Sequence, residues 1–187
     1  MDSRSVDIRL LQSLSRVELD EINRGYTSDA RYFIRKTETT QCTTISLDYE
    51  PLEQPYSKSW NSDDEELNRY QQAAGMGYSL GAYNGQKLVG ISLSEPQLWN
   101  RSLWVWEFHI SEAYRGRGLG RRLMDAQAKL AQEKGLRVLV CETQNYNVPA
   151  IHFYRSVGFE VGGVDLSYYS NTDLENGEVA IFMKRKI

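Results

Sequence analysis

Cysteine, histidine and proline are scarce in this sequence, and long apolar stretches are missing. Cys42 and Cys141 are the only cysteines, without a CxxC pair or a Cys/His cluster. That spacing argues against a disulfide framework and a zinc site. Cys141 closes the apolar run Arg137-Val138-Leu139-Val140-Cys141 and reads as a small buried hydrophobe. His109 and His152 are the only histidines. No apolar run approaches the length of about 18 residues that a membrane helix needs. Met1-Asp2-Ser3-Arg4 lacks the apolar core of a signal peptide, so a soluble cytoplasmic protein without a membrane partner is expected. A dominant charge is also lacking. The 22 Lys and Arg against 25 Asp and Glu leave a net charge of -3. A broad nucleic-acid surface is therefore not expected, although a local basic pocket is compatible with that balance.

The 187 residues are 41% hydrophobic and 25% charged, a globular balance sufficient for one domain with its own core. No internal repeat is present. Val6 to Leu11 reads as a short strand. Ser15, with Glu18 three residues on, reads as a capping box opening a helix to about Arg24. Residues 26–60 carry mixed strand signals, including Thr43-Thr44-Ile45-Ser46-Leu47, but are interrupted by Pro51 and Pro55 and resolve into no single element. Asp63-Asp64-Glu65-Glu66 suits the N-terminus of a helix. Gly77 to Tyr83 and Lys87 to Leu93 read as strands joined by an Asn84-Gly85 type I′ turn. Leu103 to Ile110 is a third strand, rich in aromatic and branched residues. A helix follows to Lys134, with Leu119, Leu123, Ala126 and Leu130 on one stripe and Gly135 at its end. Leu136 to Glu142 is a buried strand, and Pro149 opens a helix that Gly158 ends. Phe159 to Val164 and Glu178 to Met183 complete the strands. This order predicts a mixed α/β (α+β) fold in one domain spanning 1–187, with residues 77–187 as its patterned core.

Between the third strand and its following helix lies Arg115-Gly116-Arg117-Gly118-Leu119-Gly120. Glycines there let backbone amides approach a phosphate, and the helix N-terminus adds a favourable field. Arg115, Arg117, Arg121 and Arg122 add positive charge within this otherwise acidic chain. The segment is not a P-loop, because Arg121 and Arg122 follow Gly120 where Lys and Ser or Thr are required. A dinucleotide loop would need glycine at Arg121, although Glu142 lies where a ribose-binding acid would. The bland alternative is a tight strand-to-helix turn with a solvated basic face.

A second constellation runs from Glu142-Thr143-Gln144-Asn145 through Asn147, Ala150, Tyr154 and Gly158-Phe159. With it, the sequence resembles the GNAT (general N-acetyltransferase) superfamily. Arg115-x-x-Gly118-x-Gly120 matches that family's pyrophosphate loop, and Asn147-x-x-Ala150-x-x-x-Tyr154-x-x-x-Gly158-Phe159 its second signature. Glu142-Thr143-Gln144-Asn145, the segment Val164 to Asn171 and Glu178-Val179-Ala180-Ile181-Phe182 look like the streptothricin acetyltransferase branch. In the third strand, Trp106 precedes Glu107 where two carboxylates would be expected.

The resemblance implies a single-domain fold whose sheet is mostly antiparallel, with a central parallel strand pair flanked by helices. It implies acetyl-CoA as co-substrate and a primary amine of a small cationic molecule as acceptor, with streptothricin, and hence antibiotic resistance, the specific expectation. The pantetheine arm would lie along the strand at Phe108, His109 and Ile110, and the amides of Gly116, Arg117, Gly118, Leu119, Gly120 and Arg121 would hold the pyrophosphate beside Arg115. Asn147 would orient the arm, or otherwise cap the helix before Pro149. Tyr154 would protonate the departing thiolate, since a phenol near pKa 10 can serve a thiol near about 8.5. Its bland reading is a core aromatic.

Neutralising an aliphatic amine of pKa about 10.4 at pH 7 costs roughly 4 to 5 kcal/mol, so a carboxylate acting through water would help. Glu107 is that candidate base, with His109 on the same strand face a weaker one. Asp48, Glu50, Glu53, Asp165, Asp173 and Glu175, with Tyr49, Tyr56, Tyr168 and Tyr169 among them, suit a cationic acceptor as a group. The alternatives are acetylation of a polyamine, another small amine or a protein N-terminus, or a CoA-binding sensor without catalysis. A homodimer is left open.

Overall fold

The computed structural model describes residues 5–60 and 63–187. Met1-Asp2-Ser3-Arg4 therefore lies outside the described residues. Two compact units interleave along the chain. The first comprises the residues through Arg24, Trp60–Cys141 and Arg185–Ile187; the second comprises Gly25–Ser59 and Glu142–Lys184. Across both, the class is mixed α/β, mostly antiparallel, with one parallel strand pair.

In the first unit, β1 (Asp7–Leu10), β4 (Leu80–Asn84), β5 (Lys87–Gln97), β6 (Ser102–Ile110) and the start of β7 (Val138–Gln144) lie side by side in the order β1-β4-β5-β6-β7. All ladders are antiparallel except β6 with β7, which runs from Ser102 opposite Val138 to Val105 opposite Cys141. Helix α1 (Arg16–Ile22) starts at a capping box. Ser15 Oγ accepts from the Glu18 amide, and the Ser15 amide donates to Glu18 Oε2 at 2.9 Å. Helix α2 (Asp64–Gly75) is capped by Asp63, whose carboxylate accepts from the Glu66 amide at 2.8 Å. One core cluster packs Leu11, Leu19, Tyr70 and Ala74 against Ile91 and Leu93. Another packs Val6, Leu80, Val89 and Ile110 against Leu119 and Leu123 of α3 (Leu119–Glu133). Ala126 and Leu130 of the expected stripe are only partly buried against it. Met124, Gln127, Ala128 and Ala131 widen the buried face.

The β4–β5 turn differs from expectation. Asn84 pairs with Lys87, so the turn is Gly85-Gln86, and Gly85 alone has positive φ, 61°. A type I′ turn needs positive φ at both central residues, whereas glycine at the first alone fits type II′.

In the second unit, the stretch that resists reading from sequence is a long hairpin of β2 (Tyr26–Glu38) and β3 (Thr43–Lys58). Its tip is closed by Thr39, whose amide donates to the Cys42 carbonyl at 2.8 Å and whose hydroxyl accepts from the Cys42 amide at 3.0 Å. Pro51 faces Ala30 where the register slips, so its missing N–H falls at an irregularity and breaks no regular ladder bond. Helix α4 (Val148–Ser156) packs on β2, with Arg155 Nη1 donating to the Tyr32 hydroxyl at 2.7 Å. Strand β8 (Glu160–Asp165) pairs antiparallel with β9 (Ala180–Lys186). A short α5 (Asp173–Asn176), absent from the sequence reading, lies between them.

Candidate active site

The first unit carries the glycine loop. Gly116 and Gly118 hold φ of 70° and 80°, a left-handed conformation that a side chain would strain. Gly118 is the N-cap of α3, and no side chain caps that helix. The first-turn amides at Leu119 and Gly120 thus retain donors for an anion, reinforced by the helix dipole. The neighbouring arginines divide. Arg115 Nε donates to the Ile110 carbonyl at 2.8 Å, and Arg122 Nη2 to the Val6 carbonyl at 2.9 Å, so both brace the loop against the sheet. All four arginines, Arg117 and Arg121 included, are nonetheless exposed residues that keep positive charge at the loop surface.

Glu107 and His109 share a face of β6, as strand alternation predicts. His109 Nε2 contacts Glu107 Oε2, and the Tyr70 hydroxyl donates to Glu107 Oε1. Tyr70 belongs to α2 and is 2% exposed. Its hydroxyl also lies 2.8 Å from Glu66 Oε1. Burial, and next the charge of Glu107, push the Tyr70 phenol well above its ordinary value, so it stays neutral at working pH. Sequence reasoning missed Tyr70, because its partner is 37 residues away. Where a second carboxylate would precede Glu107, Trp106 Nε1 donates instead to Glu95 Oε2 of β5 at 2.9 Å. Phe108 and Ile110 lie beyond Val105, where the parallel ladder with β7 ends.

The second unit carries the other signature. Asn147 Oδ1 accepts from the Ala150 amide at 3.2 Å, capping α4 with Pro149 in the first turn. The capping role is therefore present, and it leaves the Asn147 amide nitrogen for a cofactor arm. Tyr154 is 7% exposed, with its ring 5.6 Å from Phe153 and 5.4 Å from Phe159.

Most of the acids grouped for a cationic acceptor have internal work. Asp48 and Glu50 pair with Arg35, and Glu50 also with Arg31 at 3.4 Å. Asp165 accepts from the Ser167 amide at 3.0 Å. Asp173 is buried, which pushes its carboxyl up. Donation from the Ser170 hydroxyl and the Tyr169 amide overcomes this and holds it below the usual range. Glu53 and Glu175 are exposed. The group drawn from the sequence for a cationic acceptor left out the two acids that do meet an aromatic ring here, Glu142, noted only for another role, and Glu178. Glu142 accepts from the Tyr169 hydroxyl, and Glu178 pairs with Lys58, whose Nζ lies 5.9 Å from the Tyr169 ring centre. The Tyr56 ring lies tilted against that of Tyr146, with centres 4.6 Å apart. The signal was available only as scattered single residues of β3, β7 and the loops that follow β7 and flank α5.

Among the described residues, no group of His, Cys, Asp or Glu is arranged to hold a metal. No helix among them is long and apolar enough to cross a membrane.

The acetyltransferase (GNAT) family profile matches residues 44–159. A streptothricin acetyltransferase of Streptomyces lavendulae is 33% identical over 71% of this chain and 69% of its own length. Streptothricin acetyltransferase A of Bacillus subtilis is 30% identical, over 71% and 75%. The crystal structure of a nourseothricin acetyltransferase superposes with a TM-score of 0.72 at 27% identity, covering 97% of this chain and 98% of that one. A Bacillus anthracis protein solved in complex with acetyl coenzyme A gives 0.71 at 24% identity, over 100% and 99%, a likeness of fold.

Proposed function

The chain belongs to the acetyltransferase (GNAT) family, and on that premise we propose that it moves acetyl from acetyl-CoA to a primary amine of streptothricin. The observation that carries the cofactor half is the loop at Gly116–Gly118, with its left-handed glycines and the uncapped start of α3. In this reading the first-turn amides hold the pyrophosphate, with the exposed Arg117 and Arg121 adding charge. The pantetheine arm runs along β6 at Phe108, His109 and Ile110, beyond the end of the parallel ladder, and Asn147 donates its free amide hydrogens to it.

Tyr154 donates its phenolic proton to the departing thiolate, and Glu107 takes the proton of the attacking amine through water. Streptothricin is the favoured acceptor because two relatives of that name cover two thirds or more of both chains.

The deciding experiment measures thiol release from acetyl-CoA with streptothricin, polyamines and an alanine-terminated peptide. Streptothricin should give the highest kcat/KM, and preference for another amine would redirect the substrate assignment. The cofactor half is tested separately. Acetyl-CoA should raise the Tm by mass action, and Gly118→Asp, which places bulk and negative charge at the pyrophosphate, should abolish the rise. An undiminished rise would remove the loop from the cofactor site.

A further inference from the structure

A base that takes a proton from an amine must lose it before the next turnover, and Glu107 has limited direct access to water. Its side chain is 18% exposed, and both of its carboxylate oxygens are engaged, one by His109 and one by Tyr70. Tyr70 has a second carboxylate within reach. Its hydroxyl lies 2.8 Å from Glu66 Oε1, and the Glu66 side chain is 38% exposed. One phenolic oxygen thus bridges a half-buried carboxylate on β6 and a solvated carboxylate on α2. A hydroxyl carries a single proton, so it donates to one of the two at a time and can accept from the other.

We propose that Tyr70 and Glu66 form the proton exit from Glu107 to solvent. The step balances as follows. Glu107, having received the amine proton, donates it to the Tyr70 oxygen. The original Tyr70 proton passes to Glu66 Oε1. Glu66 then releases it to water, and the phenol is neutral before and after. A neutral phenol suits this two-sided exchange, since a phenolate would have no proton of its own to pass on. His109 faces the other oxygen of Glu107, and the Arg69 guanidinium lies 3.8 Å from Glu66, where it favours return of that carboxylate to its charged form.

This inference rests on the reading of Glu107 as the base, so the test separates the two. Turnover of streptothricin is followed in dilute buffer and then with increasing imidazole, a small carrier that can remove protons directly. Tyr70→Phe keeps the ring and deletes the relay atom. Its kcat should fall on the order of tenfold in dilute buffer, recover as imidazole rises, and leave KM unchanged. Glu66→Gln, a change at the surface of α2, should behave in the same way, which guards against a folding defect in the first variant. Glu107→Gln should lose turnover that imidazole does not restore. A wild-type kcat in Tyr70→Phe, or a loss that imidazole fails to relieve in both relay variants, would overturn the exit path while leaving Glu107 as base. A wild-type pH profile in Glu107→Gln would overturn the base and the path together. If streptothricin is not acetylated, the measurements are made on the amine that is, and no turnover with any amine would overturn both.

Discussion

Asn145 is a single residue on which much of the second unit converges. It is 2% exposed, and every polar group it has is matched. Its Nδ2 donates to the Tyr32 carbonyl at 2.9 Å and the Gly177 carbonyl at 3.0 Å, while Oδ1 accepts from the Val179 amide at 2.9 Å. Its backbone adds a bond from the Tyr32 amide and one to the Val179 carbonyl. Asn145→Ala removes the three side-chain bonds and strands buried partners. At about 1 kcal/mol or more for each, the loss should be about 3 kcal/mol in denaturant unfolding. A change under about 1 kcal/mol would mean that water replaces the amide. Tyr154 is a contrasting case, because its ring packs between Phe153 and Phe159 and survives substitution by phenylalanine. Tyr154→Phe should therefore keep its Tm and its acetyl-CoA binding while kcat falls on the order of 10²-fold. Near-normal turnover would show that the thiolate leaves without a proton from this hydroxyl.

Elements differ in how openly the sequence declares them. Helix α1 is written in four residues, Ser15 to Glu18, and both reciprocal bonds of its capping box form. Ser15→Ala should cost about 1 kcal/mol, read from the shift in unfolding midpoint. Helix α3 was equally legible, since glycines mark both ends and the apolar spacing marks its face. The loop before it and Tyr154 could be read because their spacing is local. The β2–β3 hairpin could not. Its strands are paired mainly with each other, most of their side chains meet water, and the alternation that identifies a half-buried strand is therefore diluted. Pro51 and Pro55 add apparent breaks that a two-stranded ribbon tolerates. The surroundings of Glu107 were hidden for a different reason. Strand alternation placed His109 beside it, but no periodicity announces a tyrosine on a separate helix.

For the molecule as a whole, two phenols set the alkaline limit. The hydroxyls of Tyr26 and Tyr70 ionise well above the ordinary value, chiefly because burial disfavours the phenolate and further because negative charge lies near them. The unfolded chain releases these protons at about pH 10, whereas the native state keeps them. Stability is therefore complete below about pH 10 and declines as pH rises beyond it. Phenolate absorbance from these groups should appear together with loss of structure; a gradual rise in a chain that stays folded would contradict their burial. The interleaved chain path has a consequence for biosynthesis. Tyr32 and the Asn145 side chain that binds its carbonyl are 113 residues apart. At the ribosome the β2–β3 hairpin is complete at Lys58 and waits for Asn145, roughly 4 to 17 seconds at ordinary elongation rates. A lone two-stranded hairpin is marginal in water. During that interval its tyrosines and strand edges are open to other nascent chains, so slower translation between Trp60 and Cys141 would lengthen the period of greatest aggregation risk.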